Sequence, residues 1–547
     1  MTKLLRVRLL PLLMSCLMVE IYSGPTPQSQ SKHTQKHENQ NYWRSQGIED
    51  IKFKLAQSQN NGKVKNVILI IGDGMGLNSI TPGRIYKGQK AGKLGEEETL
   101  SWEYFPHTGL SKTYNTDYQV PDSAGTATAI LSGCKTKMAF LGIDNSVEYN
   151  TCDPKKLEAA KLDNIFTMAI KNKKETGIVT TARLTHATPG AAYAATSNRD
   201  WEADSDMSKE FISEGCTDVA KQMIYSSPGN QINVLFGGGR SKFMKKDAGG
   251  KRLDEDLISV WKNFKKNVSS KYLDSKSDLD QWNIANTEYV LGLFGDSHLP
   301  FEVSRDVEKD PSFTDLSLAA LNRLQTAYDE GKSNGFVLLL ESGRIDMAHH
   351  TNHAKKAFEE LVEMDRAVNL IMDKVNLQDT LVIVTADHSH AVTMNGYPHR
   401  GNSILGYIFE DRGGNYVTKE NGEKIPYSTI SYANGPGFKK HFINNNMVDI
   451  RKLDYESDDY QSQAMWLGPD NYESHGGEDV PIYAIGPQSH LFTGVHEQSY
   501  ISHVIHYGMC QISDVEAPFC SSSSIVFPSM FFIFINIYVS NFYITCQ

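Results

Sequence analysis

Basic tracts are missing from the body of this 547-residue chain, whose net charge is −10 with 22% of residues charged. Binding a nucleic-acid backbone needs clustered lysine and arginine, so no nucleic-acid partner is expected. No internal repeat is found, which argues against solenoids and propellers. No long apolar run opens the chain either. Residues 9–21 follow Lys3, Arg6 and Arg8 and are too short to span a bilayer comfortably. A cleaved signal peptide over 1–23 is expected. No charge follows Glu516, so the apolar stretch 525–544 lacks the cationic flank of a stop-transfer helix. With the small residues 521–524 before it, 521–547 reads as a GPI-type lipid-attachment signal. A retained membrane helix or a secreted form is the alternative.

Cysteine is scarce, at seven residues. Cys16 would leave with the signal and Cys546 with the tail, so five remain in an oxidising compartment. Cys510 and Cys520 could close a short loop and Cys152 could pair with Cys216. Cys134 would then be a buried free thiol. The one Asn-x-Ser/Thr sequon, at Asn267, implies a surface loop if it is glycosylated.

Four apolar runs, at 67–71, 177–181, 336–340 and 381–385, each lead directly into metal-binding or phosphate-binding side chains. The first meets Gly72-Asp73-Gly74, the second His186 and Thr188. The third meets Glu341, then Asp346 and His350, and the fourth meets Asp387-His388-Ser389-His390. Buried parallel strands read as continuous aliphatic runs, and ligands bind beyond their carboxyl ends. The pattern predicts a metalloenzyme of the α/β class, with a large mainly parallel central sheet flanked by helices. A flexible leader is expected over 24–41 and an amphipathic helix within 42–61. The core would run over 62–397, an inserted subdomain over 398–470, where Gly, Asn, Tyr and Asp rise, and completion of the core over 471–520.

The sharpest local motif is Asp122-Ser123-Ala124-Gly125-Thr126-Ala127-Thr128-Ala129. A serine opening a small-residue helix would receive the positive end of the helix dipole and its free amides, which suit a phosphoryl group. An ordinary N-cap ahead of a tightly packed helix is the alternative. Asp346 and His350, at i and i+4, share one helix face and suit zinc. His475 stands in another glycine-rich turn, Ser474-His475-Gly476-Gly477-Glu478-Asp479.

These motifs, with Glu341-Ser342-Gly343-Arg344-Ile345-Asp346 and Thr385-Ala386-Asp387-His388-Ser389-His390, resemble those of the alkaline phosphatases, the animal membrane-anchored ones above all. The resemblance covers about residues 42–520. It implies two zinc ions and one magnesium per subunit. Asp346, His350 and His475 would hold the first zinc. Asp73, Asp387 and His388 would hold the second, with Ser123 as nucleophile on it. Asp73, Thr188 and Glu341 would hold magnesium, with His186 just behind. Arg199 would clamp the phosphate of a small phosphate monoester, which passes through a phosphoserine. Asp122, Met347 and His390 would lie around the ligands, His390 beside the second zinc. The resemblance also implies a homodimer, with the 42–57 helix on the partner, Tyr397 reaching toward the partner's site, and a crown at 398–470. It implies a lipid anchor at the cell surface and activity that peaks at alkaline pH.

Two departures qualify the resemblance. Met347 stands where mammalian members carry histidine and bacterial ones commonly lysine, so altered phosphate affinity is expected. Phe294 and Asp310 fit a mammalian calcium site, but Gly295 replaces a carboxylate there, so a full calcium site is doubtful. Within the superfamily a phosphodiesterase would lack the magnesium set, and a sulfatase needs a Cys/Ser-x-Pro-x-Arg motif that the Ser123 region lacks. A surface binding protein with a dead site is the remaining alternative, and zinc content would separate it.

Overall fold

A computed structural model describes residues 38–408, 416–444, 446–511 and 520. The expected signal peptide, the lipid-attachment tail and nearly all of the leader lie outside the described residues. The described chain forms two compact units, divided between Ser58 and Gln59.

The first unit is the helix α1, Gln40–Leu55, capped by the Asn39 side chain, which accepts from the Tyr42 amide at 3.1 Å. It is helical as expected but not amphipathic. Ile48, Ile51 and Leu55 lie on one side, Tyr42 and Phe53 on the opposite side, and none of its residues is buried.

The second unit is built on a ten-stranded sheet. Its strands include β1 (Asn66–Gly72), β2 (His107–Lys112), β3 (Glu175–Arg183), β4 (Val234–Gly238), β5 (Ser270–Leu273), β6 (Tyr289–Leu293), β7 (Phe336–Ser342) and β8 (Thr380–Ala386). Seven run parallel in the order β8-β1-β7-β3-β4-β6-β5. Strand Val480–Ile485 joins β8 antiparallel, β2 pairs antiparallel with it, and Gly494–Glu497 closes the edge.

Both faces of the sheet are covered, which is why its strands read as unbroken aliphatic runs. Along β1, Ile68 and Ile70 enter one core with helices α2 (Leu77–Lys90), Phe313–Asp329 and Ala354–Met372. Val67, Leu69 and Ile71 enter the opposite core with α3 (Ser123–Ser132) and Tyr500–Gly508. At roughly 1.5–3 kcal/mol for each fully buried aliphatic side chain, register is held strongly, since a one-residue slip would exchange the two faces.

That register positions the chemistry. Ile71 lies level with both Glu341 and Thr385, and Thr180 lies level with Glu341. Strands β8, β1, β7 and β3 therefore end together. The described part of 398–470 is built differently, from two-stranded ribbons and from strands Ile430–Asn434 and Gln463–Trp466, which form a small sheet with Val392–Met394. Disulfides join Cys152 to Cys216 and Cys510 to Cys520. Cys134 is free, as expected, but half-buried rather than buried.

Candidate active site and metal centre

The nucleophile candidate opens α3, after a loop over 113–122 that follows β2. Asp122 caps the helix by accepting from the Gly125 amide at 3.1 Å, so Ser123 occupies the first turn. Ser123 Oγ lies 3.1 Å from His388 Nε2 and 3.5 Å from Asp73 Oδ1. Asp73 follows β1 in a turn that requires glycine. Gly74 has φ +69°, and a side chain there would strike the His390 ring.

Asp346 anchors a second set of groups on the short helix Arg344–His350. Its Oδ1 is 2.8 Å from His390 Nε2, 3.2 Å from His350 Nε2 and 3.4 Å from His475 Nε2. The imidazoles share one orientation device. Nδ1 of His350 meets the Glu473 carbonyl at 2.6 Å, Nδ1 of His475 the Pro121 carbonyl at 2.7 Å, and Nδ1 of His388 the Ser389 carbonyl at 3.3 Å. Only a protonated nitrogen can donate there, so in the neutral ring each Nε2 is the atom left to take a metal. His350 Nε2 and His475 Nε2 stand 3.1 Å apart. Two ring nitrogens at that distance need a proton or a metal cation between them.

The carboxylates call for one too. Asp73, Glu341 and Asp387 are fully buried. Burial, then the charges of Asp387, Asp346 and Glu341, push the Asp73 carboxyl well above its usual range. Burial raises Asp387 despite the amides of Gly74 and His388 on its Oδ1, at 2.9 and 2.8 Å. Glu341 is pushed up to about 7, chiefly by burial. Asp73 Oδ2, Glu341 Oε1 and Thr188 Oγ1 are buried with no hydrogen-bond partner. Those three oxygens are the expected magnesium set, and an all-oxygen set suits that ion. Imidazole with carboxylate suits zinc. The residues present therefore fit both metals.

Possible ligands gather in four overlapping groups among the described residues: Asp346, His388, His390 and His475; His350, His390 and Glu473; Asp73, His186 and Glu341; Asp73, Asp387 and His388. His390 was expected beside the second zinc, and its Nε2 meets Asp346 Oδ1 at 2.8 Å within the group that also holds His388 and His475. The cause is local. The chain leaves β8 into a short strand, Ser389–His390, that pairs with His475–Gly476 and sets His390 opposite His475.

Arg199 is held by two neighbours. Its Nη1 is 3.0 Å from Asp122 Oδ2 and its Nη2 3.3 Å from His186 Nε2. Its side chain keeps a fifth of its surface exposed. Asp122, also bonded by Asn115, Gly125 and Ala139, stays below the usual carboxylate range because Arg199 and these amides outweigh its burial.

A profile of the alkaline phosphatase family matches residues 64–511. The human tissue-nonspecific alkaline phosphatase is 39% identical over 490 residues, covering 87% of this chain and 90% of that protein. The membrane-bound alkaline phosphatase of Bombyx mori is 36% identical over 466 residues, covering 83% and 81%. The chain belongs to the alkaline phosphatase family. The solved structure of Thermus thermophilus alkaline phosphatase shares its fold, with a TM-score of 0.56 at 20% identity over 84% of this chain and 94% of that one. As an alkaline phosphatase the chain is a phosphate-ester hydrolase.

Within this alkaline phosphatase, Met347 rests its sulfur 2.9 Å from Arg344 Nη1. The loop near Phe294 is tied to Arg240. Gly295 gives its carbonyl to the Arg240 amide, the Asp296 carboxylate pairs with Arg240 at 2.8 Å, and no group of three carboxylates gathers there among the described residues. Asn267 is exposed.

Sequence reasoning missed Glu473. It is buried beneath the histidines, accepts from His390 Nδ1 at 2.6 Å and from the Ala391 amide at 2.7 Å. Its position two residues before His475 was the available signal.

Proposed function

We propose that this phosphatase hydrolyses phosphate monoesters through a phosphoserine on Ser123, in a site holding two zinc ions and one magnesium. The observation that carries the reading is Ser123 Oγ at the start of α3. It lies within 3.5 Å of both His388 and Asp73 and beside an arginine already fixed by Asp122.

Asp346, His350 and His475 would hold one zinc, Asp73, Asp387 and His388 the other, and Asp73, Thr188 and Glu341 the magnesium. Bound zinc would favour the ionised serine and the departing ester oxygen, and magnesium would offset the carboxylates. Arg199 donates two parallel hydrogen bonds to phosphoryl oxygens, a geometry lysine lacks. The first-turn amides of α3 face the same charge. Ser123 Oγ attacks phosphorus, the phosphorus–ester oxygen bond breaks, and the alcohol leaves. Water then attacks the phosphoserine, the phosphorus–Oγ bond breaks, and inorganic phosphate departs. Phosphoryl transfer asks mainly for such positioning and charge neutralisation.

The same reading places the enzyme at the outer cell surface as a GPI-anchored homodimer with a broad range of esters. Its support is the sequence of both ends and the membrane-bound Bombyx mori relative. No helix among the described residues is long and apolar enough to cross a membrane.

The test is hydrolysis of a chromogenic phosphate monoester from pH 6 to 11, with and without a zinc chelator, beside Ser123→Ala. Chelator-sensitive activity rising into alkaline pH and lost in S123A is expected. A diester preferred over the monoester, or full activity in S123A, would overturn the reading.

A further inference from the structure

Behind the phosphate clamp lies a second arginine–histidine pair. Arg183 ends β3. Its Nε and Nη2 meet the two Glu202 oxygens at 2.7 and 2.8 Å, a bidentate pair. Its remaining nitrogen, Nη1, meets His298 Nε2. His298 stands edge-on to His186, with ring centroids 5.5 Å apart and planes at 80°. His186 Nε2 in turn meets Arg199.

The proton positions follow from chemistry. A guanidinium has donors and no lone pair, so Nε2 of both histidines must accept. Both rings are then neutral with hydrogen on Nδ1, and both Nδ1 atoms are buried without a partner. His186 therefore has no side-chain hydrogen bond of its own beyond Arg199. What limits its swing is packing, and His298 supplies an aromatic edge against it.

His298 is itself delivered by a fixed loop. The Gly239 amide donates to the Ser297 carbonyl at 2.7 Å, the Ser241 amide to Asp296 at 3.2 Å and the Leu299 amide to Thr181 at 2.9 Å. Gly238 must be glycine, because a side chain there would strike the Ser297 carbonyl. The Gly237–Arg240 turn thus acts as a clasp for the His298 loop.

We propose that His298 is a positioning residue for the phosphate clamp: held by Arg183, it buttresses His186 so that Arg199 stays aimed at the phosphoryl oxygens. This rests on the role given to Arg199 above. It touches no reacting atom, so its loss should weaken phosphate binding and spare the chemical step.

The experiment compares the wild type, His298→Ala and His298→Gln, loaded with zinc and magnesium. KM and kcat for a chromogenic monoester and the inhibition constant of inorganic phosphate are measured. In H298A, KM and the inhibition constant should rise about tenfold, the weight of one charge-assisted hydrogen bond, with kcat within about threefold. H298Q, which can still accept from Arg183 and fill part of the space, should recover most of the loss. It also provides the readout if the alanine variant does not fold. An unchanged inhibition constant, or a loss confined to kcat, would overturn the proposal. So would a loss that excess magnesium restores, since His298 would then serve the metal group of Asp73, His186 and Glu341 instead. An inactive wild type would fault the parent reading and not this one.

Discussion

Asp346 and Asp387 are both deeply buried aspartates at one edge of one sheet, yet their carboxyls move in opposite directions. Burial alone would raise both. At Asp346, the charge and hydrogen bond of His350, joined by bonds from His390 and His475, override burial and hold the carboxyl well below its usual range. At Asp387, burial prevails and the Asp346 charge adds to it. The imidazole half of the site is thus largely satisfied by its own residues. The carboxylate half, Asp73, Glu341 and Asp387, is mutually repulsive and leaves oxygens unpartnered. Both halves are laid out for cations, but only the carboxylate half is left with repelling charges and unpartnered oxygens.

The largest test breaks the carboxylate half. Asp73→Asn should lower kcat/KM by about 10³-fold or more, because several kcal/mol of charge stabilisation are lost at once. Metal analysis should show magnesium and one zinc depleted while the zinc of the Asp346 half remains. Equal loss of both zincs would mean that the halves are not separable. Glu473→Gln addresses the other half. The Glu473 carboxylate holds His390, whose Nε2 backs the Asp346 carboxylate, and weakening such outer support typically costs about 10–100-fold in metal affinity or activity. A chelator titration should find the E473Q enzyme losing zinc correspondingly earlier, and an unchanged titration would remove Glu473 from the metal support.

The metal-free protein offers a pH test of the same contrast. The folded Glu341 carboxyl is raised from 4.5 to about 7. A raised acid favours the folded state fully below its unfolded pKa, and that stability is lost as pH rises through the folded value. Chelated protein should therefore lose Tm progressively between about pH 4.5 and pH 7, and Glu341→Gln should flatten that decline. Metal-loaded protein should not show it. A parallel decline with metals bound would place the titration elsewhere.

The central strands and most of the expected ligands were legible because each lies just past an aliphatic run, and runs buried on both faces are plain in sequence. The Asp346–His350 pair was legible from helical spacing. The two-residue strand after β8 that sets His390 opposite His475 is invisible to periodicity. Glu473 and His298 make their contacts between loops far apart in sequence, and nearness to His475 was the one local hint of Glu473. The expected amphipathic character of the 42–57 segment fails because Tyr42 and Phe53 face away from Ile48, Ile51 and Leu55.

The smallest effect is expected where the inserted region meets the core. His349, next to His350, is buried with Nε2 at 2.8 Å from Ser79 Oγ on α2 and Nδ1 at 2.8 Å from the Tyr432 hydroxyl on strand Ile430–Asn434. This chain of bonds ties three segments behind the imidazole half without entering it. Tyr432→Phe keeps the ring and leaves one His349 nitrogen unpaired in the interior, at a cost of about 1–3 kcal/mol. Chemical denaturation of the metal-loaded enzyme should register that loss, while kcat and zinc affinity stay within about twofold. If zinc affinity fell as far as in E473Q, the inserted region would be part of the metal support. The contrast between the halves would then rest on the imidazole half borrowing its order from residues 398–470, not on its own hydrogen bonds.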